Sequence, residues 1–271
     1  MLSLKYVSDV FLSLCFGNSI ISDERAAKRV KLGTTALGDQ AALDTEGAFV
    51  NVGQKKLAGF SAEESLLYVR SETVELWKAL SDTGVNSLSI DGPPGTGKST
   101  EAWAWALWKA NEDLVTVTWY HLSKRRVLRA VIDGETKKIT TALMYKIDTM
   151  EESEGSILIV DGVTKADSVD VSRACSSWRG QDNAKRFVAV SSATVVIAAE
   201  QDNEANIVNF TMGSWTFEQY KAACADEGFY EQVKSNMECP DAGLDKDQLL
   251  LAKYYFAGDC ARWMFEFTYG D

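Results

Sequence analysis

Gly92-Pro93-Pro94-Gly95-Thr96-Gly97-Lys98-Ser99-Thr100 decides how this chain is read. Gly92, Gly97, Lys98 and Ser99 match G-x-x-x-x-G-K-[ST] in full, and Gly95 adds another permissive backbone position. Glycines let successive backbone N–H groups turn inward on phosphates, and the helix that follows offers its positive end to the same anion. The pattern has the right surroundings. Ser87-Leu88-Ser89-Ile90-Asp91 reads as a strand running into the loop. Lys98 to Ala110 reads as a helix whose Trp103, Leu107 and Ala110 share a side widened by Trp105 and Trp108. The expected ligands are ATP and Mg²⁺, held by Gly92, Pro93, Pro94, Gly95, Thr96, Gly97, Lys98, Ser99 and Thr100. Lys98 is expected to reach the β- and γ-phosphates and the Ser99 hydroxyl to ligate the metal.

A phosphate loop needs an acid on a neighbouring strand to complete the metal shell. Ile157-Leu158-Ile159-Val160-Asp161 supplies four apolar residues and then the acid, so Asp161 is the expected metal-side carboxylate. Many ATPases place Glu next, to orient the attacking water. Here the next residue is Gly162, which leaves hydrolysis open while binding stands. Asp167 or Glu200 could take that part, or be solvated acids or helix caps. Ser191 and Ser192, after the strand from Phe187, read either as a polar sensor of the γ-phosphate or as the start of a turn.

Outward from the loop, Leu114 to Leu122 alternates as a strand does, and Val127–Ile132 with Lys138–Leu143 straddles Asp133-Gly134 as a hairpin. Ile207 to Met212 is a further strand. From Thr216 the periodicity turns helical: 217–227, 230–236, 244–256 and 260–267. Strands alternating with helices, then a helical tail, predict a three-layer α/β sandwich with a small C-terminal α-helical lid. The implied division is a largely flexible lead-in over 1–60, a core over 61–212 and a lid over 213–271. Ser61-Ala62-Glu63-Glu64 resembles a helix start, so one or two helices are expected over 62–82.

Composition narrows the function classes. A net charge of −11 disfavours a nucleic-acid partner, whose phosphates demand clustered cations. One histidine, His121, speaks against a site built on His ligands or a His base. Cys15, Cys175, Cys224, Cys239 and Cys260 are odd in number and contain no C-x-x-C pair, which fits a reducing compartment. No stretch approaches the ~20 apolar residues of a membrane span. The run Val10–Phe16 reads as an amphipathic first helix in preference to a secretory signal. Ala26-Ala27-Lys28-Arg29-Val30-Lys31-Leu32 has the form of a short nuclear import signal in the lead-in, open to an import receptor, or else is a solvated basic stretch. Lys124-Arg125-Arg126 reads as a solvated strand edge.

Several segments together resemble the ATPase module shared by Crinkler effectors of oomycetes and retrotransposon hot spot proteins of trypanosomes. They are Leu67-Tyr68-Val69-Arg70, the loop with its Trp-rich helix, ILIVDG, Gly213-Ser214-Trp215-Thr216-Phe217-Glu218-Gln219-Tyr220 and Ala257-Gly258-Asp259-Cys260-Ala261-Arg262. The resemblance runs from Leu67 to Phe265. It implies an ATPase of the AAA-like and STAND-like branch acting in a nucleus, that of a host if the protein is exported. It also implies that Arg262, by itself a plain helical arginine, closes the lid over the phosphates. The leucine-phenylalanine-rich header of many Crinklers is not recognisable in Met1 to Phe60, and no nuclease-like segment follows the lid before Asp271, so secretion and nuclease activity are not expected by default. Relatives of this kind often take an arginine from a neighbouring subunit, which makes a homo-oligomer an expectation, with Arg173, Arg179 and Arg186 unranked as donors. Two functions compete: a weak or regulated Mg-dependent ATPase, with Lys98, Asp161 and Arg262 as its catalytic set, and a nucleotide-bound, non-hydrolysing module that contacts a nuclear host protein.

Overall fold

The computed structural model describes residues 28–31, 45–62, 65–124, 126–144, 155–179, 184–191, 207–237 and 243–268. Along these the chain forms β1 (Lys28–Lys31), β2 (Phe49–Val52), a 3-10 turn (Lys55–Ala58), β3 (Ser65–Tyr68), α1 (Ser71–Ser81), β4 (Ser87–Asp91), α2 (Lys98–Asp113), β5 (Thr116–Leu122), β6 (Val127–Asp133), β7 (Lys138–Met144) and β8 (Ile157–Val163). It continues through α3 (Ser168–Arg179), β9 (Arg186–Ser191), β10 (Ile207–Thr211), α4 (Phe217–Ala225), α5 (Glu227–Met237), α6 (Lys246–Ala257) and α7 (Ala261–Phe265).

One sheet runs β1-β7-β6-β5-β8-β9-β4-β10. β5, β8, β9, β4 and β10 are parallel neighbours, and β6, β7 and β1 extend the sheet antiparallel beyond β5. Parallel strands covered on both faces need unbroken apolar runs, because each side chain meets a helix layer whichever way it points. In β8, Ile157 and Ile159 pack with α1 and α2, while Leu158 and Val160 pack with Val171, Ala174, Cys175 and Trp178 of α3. Helices on both faces of a central sheet make the three-layer α/β P-loop fold that the strand-helix alternation predicts.

Tryptophan fills much of this core. Trp103, Trp105, Trp119 and Trp178 are each at most 1% exposed. A buried indole needs a partner for its N–H. The four donate to Gly53 O, Ser81 Oγ, Ala58 O and Arg186 O in that order. Of the eight tryptophans only Trp263, in α7, is an exposed side chain, at 47%.

Four expectations change. Residues 45–60 belong to the packed body: Val50, Val52, Leu57 and Ala58 are buried in the main core. The basic segment proposed for import contributes β1, a strand paired with β7, instead of an extended free chain. Residues 65–68 are strand β3, not helix; the helix begins only at Ser71. Lys124 and Arg126 sit at the β5–β6 turn, closed by Ser123 N–H donating to Arg126 O. The helix expected within 1–21 lies outside the described residues. Among the described residues no helix is long and apolar enough to cross a membrane.

β2 and β3 explain why the early segment is held. Side chains alternate across a strand. Val50, Val52, Leu67 and Val69 face the main core, whereas Phe49, Leu66 and Tyr68 join the cluster made by the lid helices with Trp215, Tyr220, Phe229 and Met264. The ribbon is thus a shared wall between core and lid. Thr216–Gln219 and Asp245–Gln248 capping boxes start α4 and α6.

Candidate nucleotide site

Ligands of open α/β sheets bind outside the carboxyl ends of the strands, and here β4 ends at Asp91 and passes into the loop. Gly97 caps α2 with φ 105°, left-handed backbone that glycine adopts without strain. Lys98 Nζ donates to Gly92 O at 2.8 Å, Pro93 O at 2.6 Å and Thr96 Oγ1 at 3.3 Å. Burial pulls its pKa down to about 8, against the raising effect of Asp91, Asp161 and Glu101. An anion entering the loop favours the charged form of Lys98.

Asp161 is 1% exposed, two residues before the end of β8. Its Oδ1 accepts from Ser99 Oγ at 2.6 Å, and its Oδ2 is 2.7 Å from His121 Nδ1. An ionised carboxylate only accepts, so the His121 nitrogen is the donor. The two hard oxygens of Ser99 and Asp161 fit Mg²⁺, which takes one or two protein oxygens and completes its octahedron with phosphate and water. Among the described residues no cluster of three or more His, Cys, Asp or Glu is arranged to hold a metal by itself.

His121 stands in the site as a partner of Asp161, a place that the count of histidines does not reveal. The one histidine stands in the site because β5 and β8 are parallel neighbours in a register that sets His121 beside Asp161. Gly162 also has a structural cause. Its φ is +79°, and a Cβ there would lie 2.5 Å from Leu122 O, so the fold rejects any side chain at the place where many ATPases carry Glu.

Pro94 through Thr100, His121, Asp161, Gly162 and Ser191 line a cavity of about 550 Å³, within the range of small-ligand sites. Gly59 and Phe60 form another wall, and Arg262, Glu266 and Phe267 reach it from the lid. No local pattern marks Gly59 and Phe60 for this place; it follows from the packing of Leu57, Ala58 and Phe60 against the main core. Arg262 stands beside the loop: its Cβ would be 3.3 Å from a Cβ on Gly95. Its side chain is 60% exposed, with Nε 3.6 Å from Glu266 Oε2.

The other candidates are elsewhere. Asp167 Oδ2 accepts from Thr164 N–H at 3.0 Å and Thr164 Oγ at 2.5 Å, a turn that precedes α3. Arg173 is exposed and pairs with Asp170, and Arg186 donates to Asp82 O. Ser192, Glu200 and the Arg179 side chain lie outside the described residues.

No known family matches this chain, and no curated protein is similar to it in sequence. Among solved structures it is similar to domain III of the Thermotoga maritima replication initiation protein DnaA, at 15% identity and TM-score 0.41, over 71% of this chain and 77% of that one. It is also similar to a STAND protein, a signal transduction ATPase with numerous domains, carrying a tetratricopeptide repeat sensor, from Pyrococcus horikoshii. That match has 12% identity and TM-score 0.35 over 67% of this chain and 31% of the other.

Proposed function

We propose that the chain binds ATP with Mg²⁺ at Gly92–Thr100 and turns it over slowly or under regulation. The observation that carries this is the joint placement of the Lys98 ammonium inside the loop and of Ser99 Oγ against Asp161 Oδ1 at 2.6 Å. Loop N–H groups and Lys98 hold the β- and γ-phosphates. Mg²⁺, when bound, supplies charge neutralisation and orientation of the triphosphate. Ser99 and Asp161 hold its shell, His121 fixes the Asp161 carboxylate, and Arg262 meets the γ-phosphate from the lid. The test is thermal unfolding with and without MgATP. Stability should rise by about 2.7 kcal/mol at a nucleotide concentration 100 times Kd, and Lys98→Ala should abolish the rise. No shift in the wild-type chain at millimolar nucleotide refutes the reading.

Gly162 favours a second reading, in which the nucleotide is held and not cleaved and the bound form contacts a partner. Steady-state phosphate release against the Lys98→Ala control separates the two. The Crinkler-like setting, with action in a nucleus, is part of the proposal. Its support is the sequence resemblance around Trp215 and Arg262; nuclear accumulation of the tagged chain in cells tests it, and exclusion from the nucleus refutes it.

A further inference from the structure

Arg70 is a fully buried cation just upstream of α1, with no part in the chemistry above. Its Nη2 donates to Thr96 O at 3.1 Å. The same carbonyl accepts from Trp215 Nε1 at 3.2 Å. One donor comes from the core and the other from the segment that leads into the lid. The two donors also hold each other: the Arg70 guanidinium lies 4.8 Å from the Trp215 ring centroid, and its Nη1 donates to Gly213 O at 3.3 Å.

Thr96 O belongs to the peptide unit that carries the Gly97 N–H. In a trans, planar peptide these two bonds point in opposite directions, and the described chain has no cis peptide. A Thr96 carbonyl held outward therefore aims Gly97 N–H into the concave side of the loop, where the phosphates bind. Without such a hold the unit is free to flip, because Gly97 takes either sign of φ at little cost. We propose that Arg70 and Trp215 are positioning residues that clamp the Thr96–Gly97 peptide in its anion-binding orientation, so that docking of the lid and affinity for nucleotide are one coupled equilibrium. This rests on the nucleotide reading of the loop and adds to it a means by which the lid sets affinity. Coupling is reciprocal: whatever the lid does for the nucleotide, the nucleotide does for the lid.

The experiment is calorimetric titration of the full chain with MgADP, which binds without turnover. Trp215→Phe keeps an aromatic ring under Arg70 and removes the N–H together with part of the ring system. Trp77→Phe is the matched control, because it deletes another buried indole hydrogen bond, donated to Glu101 O at 3.0 Å on α2, away from the lid. Losing one donor to a loop carbonyl should raise Kd for MgADP about three- to tenfold in Trp215→Phe, with Trp77→Phe within about twofold of wild type. Equal affinity of Trp215→Phe and wild type, or equal weakening in both variants, overturns the clamp. Hydrogen exchange of the unaltered chain gives a second measurement. MgADP should slow exchange in α4, which does not line the cavity, and protection confined to the loop and α2 also overturns the proposal. A wild-type chain that binds no MgADP refutes the nucleotide reading itself, a result distinct from either of these.

Discussion

Glu101→Gln is the most informative single change in the core. Glu101 sits on α2, three residues after the loop lysine, with no exposed surface, and its nearest cation is Arg70, Nη2 to Oε1 3.7 Å. Burial drives its pKa up to about 7 from 4.5, and the Arg70 guanidinium offsets only part of that. The folded state therefore holds a proton that the unfolded chain has already released between those two values. The stabilisation is complete below 4.5 and is lost as pH rises through about 7. Each pKa unit is worth about 1.4 kcal/mol, so the whole displacement is about 3 kcal/mol. The pI near 4.7 makes the acid end of this range poorly soluble, so the useful window starts near pH 5.5 and spans about 2 kcal/mol. Glutamine copies the protonated acid and does not titrate. The difference in unfolding free energy between Glu101→Gln and wild type should therefore move about 2 kcal/mol in favour of the variant from pH ~5.5 to ~8.5. In melting temperature that is about 4–8 °C. Denaturant unfolding of both proteins across the range measures it, and taking the difference cancels the other titrating groups. A flat difference, or one that moves towards wild type, refutes the reasoning: it would mean that Arg70 keeps Glu101 ionised.

Gly162→Ala should cost about 2–4 kcal/mol of stability by chemical denaturation, from left-handed backbone and the Leu122 carbonyl together, and wild-type stability would refute the steric account. Asp161→Asn should lower the gain in ATP affinity that magnesium gives, with binding in EDTA close to wild type; an unchanged magnesium gain removes Asp161 from the metal shell. Arg262→Ala, at an exposed side chain, should leave the nucleotide-free melting temperature unchanged and weaken ATP more than ADP, about three- to tenfold for a lost charge-assisted contact. Equal weakening of both nucleotides places the arginine away from the γ-phosphate.

The elements nearest the loop were legible because their signals are local: a glycine pattern, a four-residue apolar run before Asp161, alternation in β5 and a turn pair at Asp133-Gly134. α3 gives a weak signal although Val171, Ala174, Cys175 and Trp178 fall on one helical face. Two of those four are small residues, which carry little hydrophobic weight in a linear reading. β3 reads as helix because Leu66 and Leu67 are both apolar, and only the fold shows that one faces the lid and the other the core. His121 and Arg70 mark a harder limit. Their roles depend on which strands are neighbours and on a contact with Trp215 far along the chain, and no local pattern encodes either.

The tryptophan distribution turns the protein into its own optical gauge. Seven indoles are wholly or partly enclosed, and the exposed one, Trp263, follows Arg262 in the helix that reaches the cavity. A neutral collisional quencher in the solvent meets Trp263 before the others. The quenchable share of the intrinsic emission should therefore follow the position of α7 against the phosphate loop, without a label and without changing a residue.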